Sequence, residues 1–266
     1  MATGLLQGKK GLITGITNKR SIAYGIARTL SEHGAELAIT YQNETVKERL
    51  SPIATELNVK LVLNCDVANE EIIDDVFKVI EEKWGTLDFL VHAIAFSDKS
   101  ELNGKYVNTS LSNFLNAMHI SCYSFTALAQ RAEKVMSNGG SLLTLSYYGA
   151  EKVMPNYNVM GLCKAALEAS VKYIACDLGP QNIRVNAISA GPIRTLASSG
   201  ISDFHFISEW NRNNSPLRRN TTIEDVGKAA LYLLSDLSSG TTGEILHVDS
   251  GYNVVGMKAI DSDVIN

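Results

Sequence analysis

Residues 11–25, GLITGITNKRSIAYG, decide the fold, because an apolar run ends at a glycine and a helix-forming segment begins soon afterwards. The apolar run predicts a buried strand. Gly15 permits a tight turn, and Ser21 stands at the N-cap position of a helix predicted over residues 21–33. The stretch therefore predicts a β-strand that leads through a tight turn into an α-helix.

The same alternation of apolar and amphipathic segments continues along the chain. Further strands are predicted at ELAITYQ, KLVLNCDV, DFLVHAIAF, SLLTLSYY, IRVNAIS and EILHVDSG, and further helices near residues 44–57, 69–84, 110–137, 157–178 and 222–236. Thr222 occupies another N-cap position, while Gly34 and Gly179 end their helices. Nearly continuous apolar strands are typical of parallel sheets covered on both faces. We therefore expect an α/β fold, with a single-domain, Rossmann-type, doubly wound parallel sheet of about seven strands.

Composition excludes several classes of protein. The 266 residues carry a net charge of −4 and contain no basic stripe, which argues against nucleic acid as a partner. No apolar run approaches the roughly 18 residues of a membrane span, and the N-terminal residues lack a signal-peptide pattern. The four cysteines form no C-x-x-C pair and the five histidines show no metal-ligand spacing, so we expect a cytoplasmic protein without a metal.

The first turn has features that suit a dinucleotide. Ligands of such sheets bind at the carboxyl ends of the strands. Ser21 and the backbone N–H of Ile22 would face a pyrophosphate at the positive end of the first helix. A turn without a ligand is an equally good interpretation of these residues taken alone.

Polar residues after the second and third strands support the same hypothesis. Gln42 could bind a ribose or adenine, and Asp66 could accept a hydrogen bond from an adenine whose ring rests on Val67. Gln42 could equally be a polar turn residue, and Asp66 a helix N-cap. No cation follows the second strand before Lys47, which favours NAD(H) over NADP(H).

The segment YNVMGLCK, residues 157–164, suggests catalysis. In a helix, seven residues fall only about 20° short of two full turns, so Tyr157 and Lys164 are predicted on one face. A nearby ammonium, together with the positive nicotinamide of an oxidised cofactor, would lower the pKa of the phenol and stabilise charge on a substrate oxygen. The alternative is a tyrosine near the helix cap and an unrelated surface lysine.

These segments together resemble a known family. With TGITNKRSIAYG, LTLSYYGAEKVMPNYNVMGLCKAALEA and RVNAISAGPIRTLASSGISDF, residues 8–251 resemble the short-chain dehydrogenase/reductase superfamily. Ordinary members place the lysine four residues after the tyrosine, where this chain has Gly161. The wider spacing to Lys164 resembles the NADH-dependent enoyl-[acyl-carrier-protein] reductases of bacterial fatty acid synthesis.

The resemblance implies a function and a set of site residues. The protein would reduce the trans-2 double bond of enoyl thioesters on acyl carrier protein with NADH, as a homotetramer. Tyr157 would stabilise the enolate, Lys164 would bind the nicotinamide ribose, and Tyr147 would line the acyl site and count as catalytic. The implied cofactor residues are Gly15, Ser21, Ile22, Gln42, Asp66, Val67, Ile94, Lys164, Ile193, Thr195, Leu196 and Ala197. The implied substrate residues are Ser97, Tyr147, Met160, Ile201, Phe204 and Ile207.

Residues 194–215 form a long connection without a clear helical or strand pattern, and we expect them to form a substrate lid. A permanently packed small helical layer is the alternative. The cations Arg194, Arg212, Arg218 and Arg219 are candidates for docking an acidic carrier protein. Two rival functions remain open on sequence, namely a carbonyl or alcohol oxidoreductase of the same fold and a non-catalytic dinucleotide sensor.

Overall fold

The computed structural model describes residues 4–196 and 204–257, and within these ranges seven strands form one parallel sheet. The strands are β1 Lys10–Ile13, β2 Glu36–Tyr41, β3 Leu61–Asn64, β4 Phe89–His92, β5 Gly140–Ser146, β6 Ile183–Ala190 and β7 Ile245–Val248. Their order in the sheet is β3-β2-β1-β4-β5-β6-β7, and all pairs are parallel. The predicted seven-stranded Rossmann-type sheet is confirmed, and its strand order reverses between β1 and β4.

Helices cover both faces of this sheet. They are α1 Ile22–Glu32, α2 Glu44–Glu56, α3 Glu70–Trp84, α4 Leu111–Met118, α5 Ser124–Val135, α6 Val159–Leu178, α7 Phe204–Asn214 and α8 Ile223–Leu234. Ser21 and Thr222 occupy the N-cap positions of α1 and α8, as predicted, and Gly179 occupies the C-cap position of α6. Thr222 and Asp225 form a reciprocal capping box.

Alternate residues of each strand pack on opposite faces. Leu12, Leu90 and Leu142 pack against Phe125 of α5 and Leu167 of α6. The next residue of each strand, Ile13, Val91 and Leu143, packs on the other side with α1 and α8 residues such as Ile26 and Val226. Both faces of the sheet are therefore apolar, which explains why the strands lack polar alternation.

The predicted helix over residues 110–137 is interrupted. A π-helical turn, His119–Tyr123, joins α4 to α5. There the hydroxyl of Ser121 accepts a hydrogen bond from the N–H of Phe96 at 2.9 Å and donates one to the Phe96 carbonyl at 3.0 Å. The widened turn thus fastens the segment that follows β4, at the carboxyl end of the sheet.

The predicted helix over residues 157–178 starts later than its sequence suggests. Asn158 has φ 39° and ψ −123°, so the first helical residue is Val159. Tyr157 precedes the helix, and the prediction that it shares a helical face with Lys164 is wrong. The helix starts late because a positive φ at Asn158 cannot continue a right-handed helix.

The region predicted as an irregular connection is partly regular, since Phe204–Asn214 form α7. Ile207 and Asn211 of α7 are buried, whereas Phe206 and Trp210 are 57% and 52% exposed. Ala197 and Ile201 lie outside the described residues. In the ranges that the structure describes, no helix is long and apolar enough to cross a membrane, and no acidic, cysteine or histidine cluster could hold a metal.

Candidate active site

The turn after β1 lies against the end of β4. Gly15 has φ 86°, and a Cβ atom there would be 2.0 Å from the carbonyl oxygen of Ala93. Only glycine tolerates both the left-handed backbone and the close approach. Gly15 therefore shapes the cleft where the strand order reverses, the position at which sheets of this type bind nucleotides.

Ser21 organises the same turn. Its hydroxyl accepts hydrogen bonds from the N–H groups of Thr17 and Asn18 at 3.0 and 3.2 Å. In the described chain its side chain makes no capping bond to α1. The first N–H groups of a helix have no acceptor within the helix. The start of α1 therefore has free donors and a positive dipole end, which fit a pyrophosphate.

The other predicted cofactor residues lie at or after the carboxyl ends of the strands. Gln42 is exposed directly after β2, and Val67 is buried. Asp66 accepts a hydrogen bond from the Ala68 N–H at 3.1 Å, and the N-cap of α3 is Asn69. Asp66 is therefore not a helix cap. Ile94 and Ile193 are half-buried, Thr195 and Leu196 end the first described range, and Ala197 lies beyond it.

Tyr147 and Tyr157 are brought into direct contact. Tyr147 follows β5, and the two rings meet edge to face with centroids 5.0 Å apart. Both residues are half-buried, and burial is the main cause that raises the pKa of each phenol. This direction is opposite to the predicted lowering. Both phenols are therefore neutral hydrogen-bond donors at physiological pH.

Lys164 lies inside the protein, on the second turn of α6. Its side chain is buried at 6% exposure, and its ammonium donates a hydrogen bond to the Leu145 carbonyl at 2.8 Å. Burial lowers the pKa of Lys164 to about 8. The interpretation as an unrelated surface lysine is wrong, because the side chain points to the carboxyl end of β5.

The turn that carries Tyr157 is fastened by its neighbour. The Asn158 amide donates to the carbonyls of Glu101 and Leu102, both at 3.2 Å. Gly149 leaves room for the ring, since a Cβ atom there would be 2.5 Å from Cδ1 of Tyr157. Asn158 and Gly149 thus position a tyrosine that the helix itself does not hold.

His92 is a core residue. Its ring is fully buried, with Nδ1 2.8 Å from the Thr144 hydroxyl and Nε2 2.8 Å from the Ser124 hydroxyl. Ser124 donates to the Ile120 carbonyl at 2.7 Å, so it accepts from Nε2–H of His92. Burial lowers the pKa of His92 to about 3, and the residue stays neutral.

An apolar cavity of about 270 Å³ opens beside Tyr147. Its lining comprises Tyr147, Val153, Met154, Pro155, Phe206, Ile207, Trp210, Asn211 and Tyr252. The Trp210 indole N–H donates to the Tyr252 hydroxyl at 3.1 Å, which joins α7 to the segment after β7. A cavity of this size and character suits an apolar ligand.

The predicted substrate residues are only partly gathered at this cavity. Tyr147 and Ile207 line it, while Met160 packs in a small buried cluster with Tyr157. The Ser97 hydroxyl is hydrogen-bonded to the Asn113 amide oxygen at 3.3 Å. Phe204 is the first residue of α7, and Ile201 lies outside the described residues.

Sequence reasoning missed other residues of the cavity. Met154 and Pro155 lie just before Tyr157 in the sequence. Their closeness to the predicted catalytic tyrosine could have identified them. Tyr252 follows β7, and the rule that ligands bind at the carboxyl ends of strands could have identified it. No sequence pattern identified Asn211 as a cavity residue, because its position depends on how α7 packs.

Comparison with known proteins identifies the family of this chain. Residues 15–253 match the family model described as enoyl-(acyl carrier protein) reductase. The chain is 62% identical over 265 residues to enoyl-[acyl-carrier-protein] reductase [NADH] 1 of Rhizobium meliloti, covering 100% of this chain and 97% of the relative. It is 60% identical to the corresponding NADH enzyme of Rickettsia felis, covering 96% and 98% of the two chains.

A solved structure is equally similar. The enoyl-(acyl carrier protein) reductase of Anaplasma phagocytophilum in complex with NAD superposes with a TM-score of 0.93 and 65% sequence identity, covering 98% of each chain. Fold and sequence agree over nearly the whole length. The chain therefore belongs to the enoyl-(acyl carrier protein) reductase family.

Proposed function

We propose that Tyr147, Tyr157 and Lys164 perform the chemistry of this enzyme. The protein is an NADH-dependent enoyl-[acyl-carrier-protein] reductase, which saturates the trans-2 double bond of enoyl thioesters in fatty acid elongation. The observation that supports these roles best is the edge-to-face contact of two phenols, 5.0 Å apart, beside an apolar cavity.

Tyr157 donates a hydrogen bond to the thioester carbonyl oxygen of the substrate. Bound NADH supplies a hydride to C3 of the enoyl group. The carbonyl oxygen then gains negative charge as the enolate forms, and a neutral phenol stabilises that charge as a hydrogen-bond donor. The raised pKa of Tyr157, caused chiefly by burial, keeps the proton available until charge develops on the substrate.

Lys164 supplies positive charge and binds the nicotinamide ribose. With its pKa lowered by burial to about 8, the side chain is mostly charged at neutral pH and loses its charge as pH rises. Its hydrogen bond to the Leu145 carbonyl fixes one end of the ammonium, and two further N–H bonds stay available. The remaining cofactor contacts are those that the family resemblance assigns, from Gly15 to Ala197.

The acyl chain lies in the cavity bounded by Tyr147 and α7. Ile207 forms part of the wall, and we assign Met160, Phe204, Ile201 and Ser97 to the same substrate region. Residues 194–215 act as a lid that closes over cofactor and acyl chain and excludes water from the enolate. The exposed rings of Phe206 and Trp210 on α7, tilted by 35° with centroids 6.0 Å apart, are suited to cover an apolar ligand.

Acyl carrier protein delivers the substrate, and cations near the lid dock it. Arg212 is 3.5 Å from Glu209, Arg219 pairs with Asp225 at 2.5 Å, and Arg218 donates to the Asn213 carbonyl. Arg194 is exposed. A carrier must compete with these internal partners, so docking is weak and sensitive to salt.

We further assign a cytoplasmic location and a homotetrameric assembly, with one catalytic domain per chain. Support for self-association comes from exposed apolar residues on helices away from the cavity. Leu111 and Leu115 of α4 and Tyr173 of α6 are 72%, 58% and 76% exposed. Sedimentation of the purified protein would measure the assembly directly.

The decisive experiment compares three variants in an assay that follows NADH oxidation with a short enoyl thioester. Tyr157→Phe should bind NADH normally and lose about 10²–10⁴ in rate, the usual contribution of a positioned acid. Lys164→Ala should weaken NADH binding. Tyr232→Phe, which removes a phenol hydroxyl of α8 that contacts Thr241, is the matched control and should keep full activity.

The same assay separates the rival functions. A carbonyl or alcohol oxidoreductase would turn over a ketone panel faster than the enoyl thioester, and a dinucleotide sensor would bind NADH without turning over either. Normal steady-state kinetics in both Tyr157→Phe and Lys164→Ala would refute the proposed roles.

A further inference from the structure

Residues 97–104 form an irregular segment that follows β4 and lies against both α4 and the start of α6. The segment contains one short 3₁₀ turn, Lys99–Glu101. Within it Leu102 alone is buried, Ser97 and Glu101 are half-buried, and the other residues are exposed. Because so few of its side chains pack in the core, hydrogen bonds must fix its position. We call residues 97–104 the bridging segment.

The later part of the bridging segment holds the turn that carries Tyr157. The Asn158 amide donates to the carbonyls of Glu101 and Leu102, both at 3.2 Å, and to the carbonyl of Gly104 at 3.4 Å. The Leu102 side chain belongs to the small buried cluster against which Tyr157 packs. The position of Tyr157 therefore depends on where the bridging segment lies.

Asn113 of α4 holds the earlier part of the same segment. It is 6% exposed, and its amide oxygen accepts a hydrogen bond from the Asp98 N–H at 2.9 Å. Its amide nitrogen donates to Oε2 of Glu101 at 3.3 Å. The Ser97 hydroxyl lies 3.3 Å from the amide oxygen and 3.2 Å from the amide nitrogen. One buried amide thus contacts three residues of the bridging segment.

The charge of Glu101 fixes the orientation of the Asn113 amide. Oε1 of Glu101 accepts from the Ser110 hydroxyl at 2.7 Å, and Oε2 accepts from the Ser110 N–H at 2.8 Å. These bonds lower the pKa of Glu101, so its side chain is a carboxylate at neutral pH and can only accept. The Asp98 N–H can only donate. Asn113 must therefore direct its nitrogen to Glu101 and its oxygen to Asp98, which no apolar side chain can do.

A different anchor holds the chain just before the bridging segment. The Ser121 hydroxyl accepts from the Phe96 N–H at 2.9 Å and donates to the Phe96 carbonyl at 3.0 Å. Ile94, which we assign to the cofactor site, lies two residues before Phe96 and so on the β4 side of that anchor. Loss of the Asn113 amide should therefore loosen the bridging segment and leave the cofactor side of the chain in place.

We propose that Asn113 is a positioning residue, which sets the place of the Tyr157 phenol through the bridging segment and Asn158. Its effect on the reaction is indirect, because its amide binds the segment and the Tyr157 hydroxyl is the group that donates to the substrate. The inference rests on that proposed role of Tyr157. A hydrogen bond to a developing enolate weakens steeply when its distance or angle changes, so a small displacement of the phenol lowers the rate.

The test measures the kcat and the NADH affinity of Asn113→Ala in the full-length enzyme, with a short enoyl thioester as substrate. We expect kcat to fall by about ten- to a hundredfold, since a displacement of about 1 Å in the reacting groups can cause a loss of that size. NADH affinity, followed by fluorescence, should stay native. Asn116→Ala, which alters an exposed asparagine of the same helix, is the matched control and should change neither.

A double-mutant cycle separates positioning from a general structural defect. In Tyr157→Phe the phenol hydroxyl is absent, so its position no longer affects the rate. Asn113→Ala should therefore lower kcat strongly in the native background and only slightly further in the Tyr157→Phe background. A substitution that merely weakened the fold would lower kcat by the same factor in both backgrounds.

Glu101 offers a loss and a conservative rescue at the next contact. Glu101→Ala removes the acceptor of the Asn113 amide and should lower kcat, again with native NADH affinity. Glu101→Gln keeps an oxygen that accepts from Asn113, and its amide nitrogen can donate to the Ser110 hydroxyl. It should retain most of kcat. These two variants carry the test if Asn113→Ala folds poorly.

The possible results distinguish this inference from the proposed function. Native kcat in folded Asn113→Ala, with Tyr157→Phe impaired, would overturn the positioning role and leave the proposed function intact. Equal losses in the native and Tyr157→Phe backgrounds, or equal losses in Glu101→Ala and Glu101→Gln, would also overturn it. Native activity in Tyr157→Phe would refute the proposed function itself.

Discussion

The starts of α1 and α6 both present groups of the proposed active site, but their backbone conformations differ. Each helix follows a loop at the carboxyl end of the sheet, and each loop carries residues of the proposed active site. At α1 the backbone is regular from the cap onward, with Ser21 in an extended conformation at φ −65°. At α6 the cap residue, Asn158, has φ 39°.

The difference follows from what each loop must present. The α1 start presents its own backbone N–H groups, and a regular helix directs these toward a phosphate. The α6 start presents a side chain, Tyr157, whose position depends on the turn and not on the helix. A strained cap re-aims the tyrosine, and the contacts of Asn158 and Gly149 hold it there.

The largest expected effect tests the rigid backbone of the α1 loop. Gly15→Ala places a Cβ atom 2.0 Å from the Ala93 carbonyl oxygen at a φ of 86°. We expect the free energy of unfolding to fall by about 2–5 kcal/mol, from overpacking and backbone strain together. NADH affinity should fall as well. Denaturant unfolding and fluorescence titration measure the two effects.

Gly179→Ala is the control, because Gly179 has open space around it and φ −55°. Its unfolding free energy should change by no more than about 0.5 kcal/mol. A Gly15→Ala protein as stable as this control would show that the α1 loop is no more rigid than a surface turn.

The next effect tests the α6 loop. Asn158→Ala removes the amide that donates to three backbone carbonyls, those of Glu101, Leu102 and Gly104, and leaves alanine at a positive φ. We expect a loss of about 1–3 kcal/mol in unfolding free energy and a lower kcat, because Tyr157 is no longer positioned. Thermal unfolding and the NADH oxidation assay measure these quantities.

Asn158→Gly separates the two causes, since glycine accepts the backbone conformation but lacks the amide. It should recover stability relative to alanine while keeping a reduced kcat. If Asn158→Gly regains native kcat, the side-chain contacts to Glu101 and Leu102 do not position Tyr157, and the comparison between the two loops must be redrawn.

A smaller effect distinguishes a cap that binds ligand from one that only stabilises. Ser21→Ala loses the acceptor for two N–H groups of the turn and should cost about 1 kcal/mol in unfolding free energy. Thr222→Ala, at the capping box of α8, should cost a similar amount. Only Ser21→Ala should weaken NADH binding. If Ser21→Ala and Thr222→Ala bind NADH with equal affinity, Ser21 does not belong to the cofactor site.

The smallest effect concerns cofactor choice at the next helix start. Asn43→Arg offers a 2′-phosphate a cation and should narrow the preference for NADH over NADPH. Asn43 caps α2 by accepting from the Val46 N–H at 3.1 Å, so its loss should cost about 1 kcal/mol in unfolding free energy. Asn43→Ala is the control, because it should lose the same unfolding free energy without adding a cation. A native enzyme that prefers NADPH in steady-state kinetics would contradict the assignment of Gln42.

The fold and the α1 loop could be predicted because their signals are local. Buried parallel strands read as apolar runs, and a cap such as Ser21 is recognisable beside its helix. The start of α6 could not be predicted, since the φ of Asn158 depends on carbonyls at Glu101 and Leu102, more than 50 residues earlier. The cavity likewise depends on Tyr252 meeting Trp210.

The pKa of Tyr157 also depends on packing and not on local sequence. Sequence spacing suggested that Lys164 would lower the pKa of Tyr157, yet burial of the phenol dominates and raises it. Burial is a property of the packed molecule, and spacing along a chain does not reveal it. The alignment of Ser146, Ser189 and His247 escaped prediction for the same reason, because these residues become neighbours only when three strands are in register.

The length of α6 has a practical consequence. Of the four cysteines, Cys65, Cys122 and Cys163 are buried, and Cys176 alone is exposed. Cys176 lies twelve residues after Lys164 on one continuous helix, about 18 Å along the axis. A maleimide dye should therefore attach at that single thiol in each chain and, without any engineered cysteine, leave the catalytic end of the helix unaltered.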